Sequence, residues 1–192
     1  MKAEKVLQTF LDTGALLKGH FELRSGLHSD QYFQCALVLR SPQIAAALCK
    51  AVVGTMKKEL GAKLKADGVI APALGGLIVG HEVARALDLP FIFAEKQEGR
   101  RVLRRGFTIR RGARYVVAED VITRGGRVQE TINIVESRGG KVAAIAVIVD
   151  RSAGNVSFKY PTFSLLAMAP VTFEPGLCPL CAKDVPMDHP GS

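Results

Sequence analysis

A chain of 192 residues with 48% hydrophobic residues suits one folded domain with a substantial core, and it excludes a disordered or low-complexity protein. Its formal net charge of +8 favours polyanionic partners, meaning nucleic acid, an acidic membrane or phosphorylated small molecules. No apolar run approaches the ~20 residues of a membrane span, and the opening MKAEKVLQTFLDTG is amphipathic and acidic in places, unlike a signal peptide, so a cytoplasmic protein without membrane contact is expected.

Val6, Leu7, Phe10 and Leu11 recur at helical spacing within residues 3–17. FELRSGLHSDQYFQCALVL then reads as two strands, Phe21–Arg24 and Gln31–Leu39, joined by a turn around Ser25–Asp30. Ser41 and Pro42 mark a helix start, the serine as cap and the proline at the first helical position, with the helix reaching about Gly61. Strands are expected at 68–73, 91–95, 115–119 and 142–150, with helices at 75–87 and 126–139 between them. Short runs that are apolar throughout suit strands buried on both faces, and their spacing by helices implies parallel β-α-β units. FSLLAM (163–168) reads as an edge strand, and the tail from Pro170 is rich in Pro, Gly and Cys without periodicity.

The densest basic cluster runs from Glu95 to Arg114 and holds Lys96, Arg100, Arg101, Arg104, Arg105, Arg110, Arg111 and Arg114. Phe107 is its one aromatic residue, whereas base-stacking surfaces interleave aromatics with basic residues, so it suits phosphate better than nucleic acid. Without a secretory signal the four cysteines default to reduced thiols. Cys35 and Cys49 sit in apolar runs and read as buried small hydrophobes. Cys178 and Cys181 form one CPLC pair, half of a structural zinc set, so a tight turn with free thiols is expected; the open alternatives are a pair from each of two chains, or help from His189. His20, His28 and His81 read as turn or helix-surface histidines, since no cysteine or carboxylate spacing makes them a ligand set, and no metal bound by the protein itself is expected.

In open sheets, ligands bind beyond the carboxyl ends of the strands where strand order switches. Unusual residues gather at those ends: Pro72–Gly76, Glu95–Lys96, Glu119–Arg127 and Asp150–Arg151. In YVVAEDVITRGGRVQE, Thr123, Arg124, Gly125, Gly126 and Arg127 lie between strand and helix, where backbone N–H groups and the helix's positive end can cradle an anion. Glu119 and Asp120 just upstream can accept hydrogen bonds from vicinal hydroxyls, which fits a ribose 5-phosphate spanning acids and loop. They could instead hold Mg²⁺, or be a surface pair offsetting the nearby arginines.

The strand, two acids, two apolar residues and T-x-G-G resemble the phosphoribosyl pyrophosphate motif of the type I phosphoribosyltransferases. Within them, FELRSGLHSDQYFQ, APALGGLIVGHEVARAL and VIVDRSAG resemble, in the same order, segments of the orotate phosphoribosyltransferase family, together covering roughly residues 5–170. The resemblance implies an α/β, type I phosphoribosyltransferase fold: a central, mostly parallel sheet flanked by helices, with a small N-terminal hood or hairpin. One domain, 1–192, would comprise a hood from about 1–40 with the tail 170–192, and a core of about 41–169. It implies transfer of ribose 5-phosphate from phosphoribosyl pyrophosphate to orotate, giving orotidine 5'-monophosphate and pyrophosphate, with Mg²⁺ carried mainly by the pyrophosphate. Lys96 and Asp120 are the implied catalytic residues. Arg24, Lys96, Arg100, Glu119, Asp120, Val121, Ile122, Thr123, Arg124, Gly125, Gly126 and Arg127 would bind the phosphoribosyl donor; Tyr32, Phe33, Thr123 and Arg151 would bind orotate. A mobile loop, 96–106, would be shared across a homodimer. Arg124 and Arg127 stand where many members carry small residues, and arginines 100, 101, 104 and 105 replace a Lys-x-His-Gly pattern. Two other readings compete: a purine or xanthine phosphoribosyltransferase, which would lack the FELRSG hairpin and the Asp150-Arg151 pairing, and a regulator of the same fold binding nucleic acid, which would need an added DNA-binding domain or a basic face away from the site.

Overall fold

The computed structural model describes residues 1–23, 25–169 and 171–190. Helix α1 (Ala3–Asp12) buries Val6 and Phe10 on one face. Strands β1 (Leu16–Glu22) and β2 (His28–Phe33) follow as an antiparallel hairpin. The strand expected to continue to Leu39 stops at Phe33, and Cys35–Leu39 turns into a short helix, α2. An apolar run of five cannot by itself distinguish strand from helix; here the buried residues are Cys35, Val38 and Leu39, the i, i+3, i+4 spacing of one helical face. Helix α3 (Pro42–Leu60) begins where expected, with Pro42 in its first turn. Ser41 precedes it without capping a backbone N–H; its hydroxyl lies 3.4 Å from Gln43 Oε1.

The core sheet is built from β3 (Gly68–Pro72), β4 (Phe91–Gln97), β5 (Arg100–Leu103), β6 (Arg114–Ile122), β7 (Lys141–Asp150) and β8 (Thr162–Ala167), in the order β5-β4-β3-β6-β7-β8. All neighbours are parallel except β4 and β5. β8 lies at the edge, as its sequence predicts. Helices α4 (Gly76–Leu87) and α5 (Gly126–Ser137) connect the strands. Alternation along each strand divides the core in two. Val69, Ala71, Val116, Ala118, Ala144, Ala146 and Ile148 face α1, α3 and α4. Ile70, Val117, Ile145 and Val147 face Val128, Ile132 and Val135 of α5. Helices therefore cover both faces, and that is why these strands carry no polar side.

The tail has more order than its composition suggests. Residues Thr172–Phe173 (β9) pair antiparallel with β2, and Met187–Asp188 (β10) pair parallel with β1, giving a second sheet in the order β10-β1-β2-β9.

Candidate active site

The chain runs from β3 outward to β4 on one side, and from β6 to β7 and β8 on the other, so the order reverses between β3 and β6. That is where an open sheet leaves a crevice for a ligand. β6 extends to Ile122, so Asp120, expected just after the strand, lies within it beside Glu119. Glu119 is fully buried and Asp120 is 9% exposed. Glu119 Oε1 accepts the Asp120 N–H at 3.1 Å, and Asp120 Oδ1 accepts the Val121 N–H at 2.8 Å. Glu119 Oε2 is buried without a hydrogen bond; its nearest cation is Arg127 Nε at 3.6 Å. Burial, and then the charge of Asp120, raise the Glu119 pKa well above the carboxylate range, with Arg127 opposing. Gly75 and Gly76 allow the start of α4 to press on this pair: a Cβ on Gly75 would stand 3.1 Å from the Asp120 carboxylate oxygens, and one on Gly76 3.2 Å from Glu119 Oε1.

Beyond β6 the chain forms an open cavity of about 260 Å³ lined by residues 121–128 and Glu130. Gly125 adopts φ 73° as the residue before α5, and a Cβ there would meet Val156 Cγ1 at 2.6 Å. Glycine is required on both counts. Thr123 and Arg124 are exposed at the mouth, whereas Arg127 turns back toward Glu119 as a counter-charge. The two arginines that depart from the common pattern thus do different things.

Arg151 follows the end of β7, its N–H bonded to Ile122 O at 2.8 Å. Its guanidinium lies 5.0 Å over the Phe33 ring, and its Nε is buried without a partner. Burial presses its pKa down, with the Cys35 thiol and Tyr32 opposing, yet an arginine stays charged. Phe33 is 8% exposed and also packs 5.6 Å from Phe10, so it backs Arg151 instead of presenting an open ring face. Tyr32 is half-buried, 5.9 Å from the Phe21 ring. Arg24 lies outside the described residues.

The segment 96–106, expected as a loop, is largely a ribbon. β4 carries Lys96 and Gln97, Glu98 and Gly99 make the turn, and Arg100 to Leu103 return as β5. Lys96, Arg100 and Arg104 are exposed. Arg101 is not available in the same way: its side chain is 7% exposed, donating to Ala73 O at 3.0 Å and to Glu130 Oε2 at 3.0 Å. Arg105 pairs with Glu95 at 2.8 Å.

One expectation fails outright. His20 and His28 are not isolated from any cysteine; with Cys178 and Cys181 they bring four ligand atoms within 4.8 Å of one another. The reason is tertiary: β10 returns the tail to the hairpin. His189 is not in this group and lies 3.1 Å from Glu22. His81 is an exposed helix residue beside Glu82, and Cys35 and Cys49 are buried thiols, the latter pushed up to about 12 by burial and by Glu82 against Arg85.

Comparison with known proteins gives the same grouping from sequence and fold. The phosphoribosyl transferase domain family matches residues 40–168. An orotate phosphoribosyltransferase of Carboxydothermus hydrogenoformans is 48% identical over 183 residues, covering 95% of this chain and 94% of that protein. Among solved structures, orotate phosphoribosyltransferase from Aeropyrum pernix aligns with a TM-score of 0.68 at 23% identity, covering 85% of this chain and 93% of the other. Adenine phosphoribosyltransferase from Rhodothermus marinus aligns with a TM-score of 0.64 at 20% identity, covering 86% and 99%. Fold similarity at these identities is shared by orotate and adenine enzymes; the full-length sequence similarity separates them.

Proposed function

The chain belongs to the orotate phosphoribosyltransferase family, and from that premise we infer that its crevice transfers ribose 5-phosphate from phosphoribosyl pyrophosphate to orotate, giving orotidine 5'-monophosphate and pyrophosphate in pyrimidine biosynthesis. The observation that carries this reading is a pair of buried polar atoms left without hydrogen bonds at the carboxyl ends of adjacent strands, Glu119 Oε2 and Arg151 Nε. Such groups are costly to bury unpaired, and a substrate supplying hydroxyls to one and a carboxylate to the other would satisfy both.

Glu119 and Asp120 receive the ribose hydroxyls, while the backbone from Val121 and Ile122 through Thr123 to Arg127 receives the 5-phosphate at the amino end of α5. Arg151, fixed over Phe33, pairs with the orotate carboxylate, for which a planar guanidinium is well shaped; Tyr32 and Thr123 border the pyrimidine. As the bond from ribose C1 to pyrophosphate breaks, the bonding pair leaves with pyrophosphate and the ribose gains oxocarbenium character. The ring nitrogen of orotate then forms the new bond to C1, its proton passing to solvent or to the released pyrophosphate. Lys96, Arg100 and Arg104 on the exposed ribbon take the negative charge of the leaving group. Among the described residues no group of three or more carboxylates converges, so Mg²⁺ fits as a companion of the pyrophosphate oxygens, where it would neutralise leaving charge. We take the working unit to be a cytoplasmic homodimer in which the ribbon 96–106 reaches the second copy.

The test follows orotate absorbance with phosphoribosyl pyrophosphate and Mg²⁺. Orotate consumption matched by pyrophosphate release is expected; inertness toward orotate with turnover of adenine, hypoxanthine or xanthine overturns the reading. Arg151→Ala should raise the orotate KM by about 10- to 100-fold, from the loss of charge-assisted hydrogen bonds, with a much smaller change for the phosphoribosyl donor.

A further inference from the structure

The tail of this chain is held in place with almost no core of its own. Across residues 171–190, Cys178 alone is buried; Leu177 is 81% exposed. Two short strands and a few turn hydrogen bonds supply little of the burial that normally fixes a segment of this length. Cys178 is buried because it points at the hairpin, into a group made of His20, His28 and Cys181.

The four ligand atoms lie within 4.8 Å of one another, and four of the distances between them come close to those of a coordination shell. A tetrahedral zinc ion with nitrogen ligands at about 2.0–2.1 Å and sulfur at about 2.3 Å has edges of about 3.3 Å between nitrogens and about 3.5 Å between nitrogen and sulfur. Here His20 Nε2 and His28 Nδ1 are 3.0 Å apart. Cys178 Sγ lies 3.6 Å from His20 Nε2, and Cys181 Sγ lies 3.7 Å from His20 Nε2 and 3.3 Å from His28 Nδ1. His20 Nδ1 lies 2.8 Å from the Val185 carbonyl, so that nitrogen carries the proton and Nε2 directs a lone pair inward. A carbonyl behind a histidine is the usual outer support of a metal ligand. His20 sits at an irregularity in the β1–β2 register between Lys18 and Phe21, and its ring meets that of His28 with centroids 4.9 Å apart.

We propose that His20, His28, Cys178 and Cys181 form a structural zinc site that fastens the tail to the β1–β2 hairpin. Two thiolates with two imidazoles in a tetrahedral set favour zinc. With four protein ligands no position is left for a substrate, so the ion's contribution is to folding, not to turnover. The site is independent of the crevice, which lies at the other end of β2, where Phe33 meets Arg151.

The experiment uses the full chain purified without chelators under reducing conditions. Elemental analysis should find about one zinc per chain, and replacement by Co²⁺ should give the visible bands of tetrahedral cobalt with a thiolate charge-transfer band. Cys178→Ser/Cys181→Ser and, separately, His20→Ala/His28→Ala should each abolish stoichiometric retention. Stripping the ion from the native protein should raise hydrogen exchange in residues 171–190 while leaving β3, β6 and β7 protected. A folded native chain with neither stoichiometric zinc nor a cobalt spectrum overturns the proposal. So does a Cys178–Cys181 disulfide in its place, or full zinc retention by the histidine double variant.

Discussion

Glu119 is a fully buried carboxyl whose Oε2 has no hydrogen bond within the chain. Its folded pKa lies above its ordinary value of 4.5, chiefly through burial. Between those two values the native chain binds more protons than the unfolded one, so stability falls as pH rises through that window, and the full penalty stands above it. Glu119→Gln removes the charge while keeping the shape. Its melting temperature should exceed that of the parent at pH 8, and the advantage should fade below about pH 4.5, where both chains are neutral at this position. Thermal melts across pH decide it: an offset independent of pH would mean that the buried charge is not the cause. Saturating phosphoribosyl pyrophosphate should narrow the gap, because the substrate supplies the missing partner.

At the scale of elements, the ribbon made by β4 and β5 is where sequence and structure part most. A dense run of arginines suggests a flexible loop gripping phosphate, yet Arg101 is buried and binds β5 to the Ala73 turn and to Glu130 of α5. Arg101→Ala should cost about 1–3 kcal/mol and increase protease cutting between residues 97 and 103, since it removes the charge-assisted bonds to the half-buried Ala73 carbonyl and to Glu130. Arg100→Ala, at an exposed neighbour, should leave stability within about 0.5 kcal/mol; equal losses in both would show that burial does not separate their roles. The core strands were legible because β3, β6 and β7 are apolar on both faces, a pattern that packing between helices requires. The acids and glycines of the crevice were legible too, being local in sequence. The counter-charge role of Arg127, the burial of Phe33 and the helix at Cys35–Leu39 were not, since each depends on what the rest of the fold places beside it. The histidine–cysteine group was hidden most completely: its halves are separated by almost the whole chain and neither half is a motif alone.

For the whole molecule, the two sheets differ in what sustains them. The six-stranded sheet rests on two apolar clusters; the four-stranded one joins the first of them through Leu16 and Phe33 and takes both outer strands from the tail. A chain ending after Ala169 should therefore keep exchange protection in β3, β6 and β7 and lose it in β1 and β2; retained protection in β1 and β2 would show that the hairpin is held without β9 and β10. That arrangement also sets a schedule for synthesis. The hairpin leaves the ribosome early, but the strands that flank it, at residues 172–173 and 187–188, leave late. The six-stranded core can collapse while translation continues, and the hairpin, its two strands paired with each other, keeps both outer edges open until residues 172–173 and 187–188 arrive to clasp it.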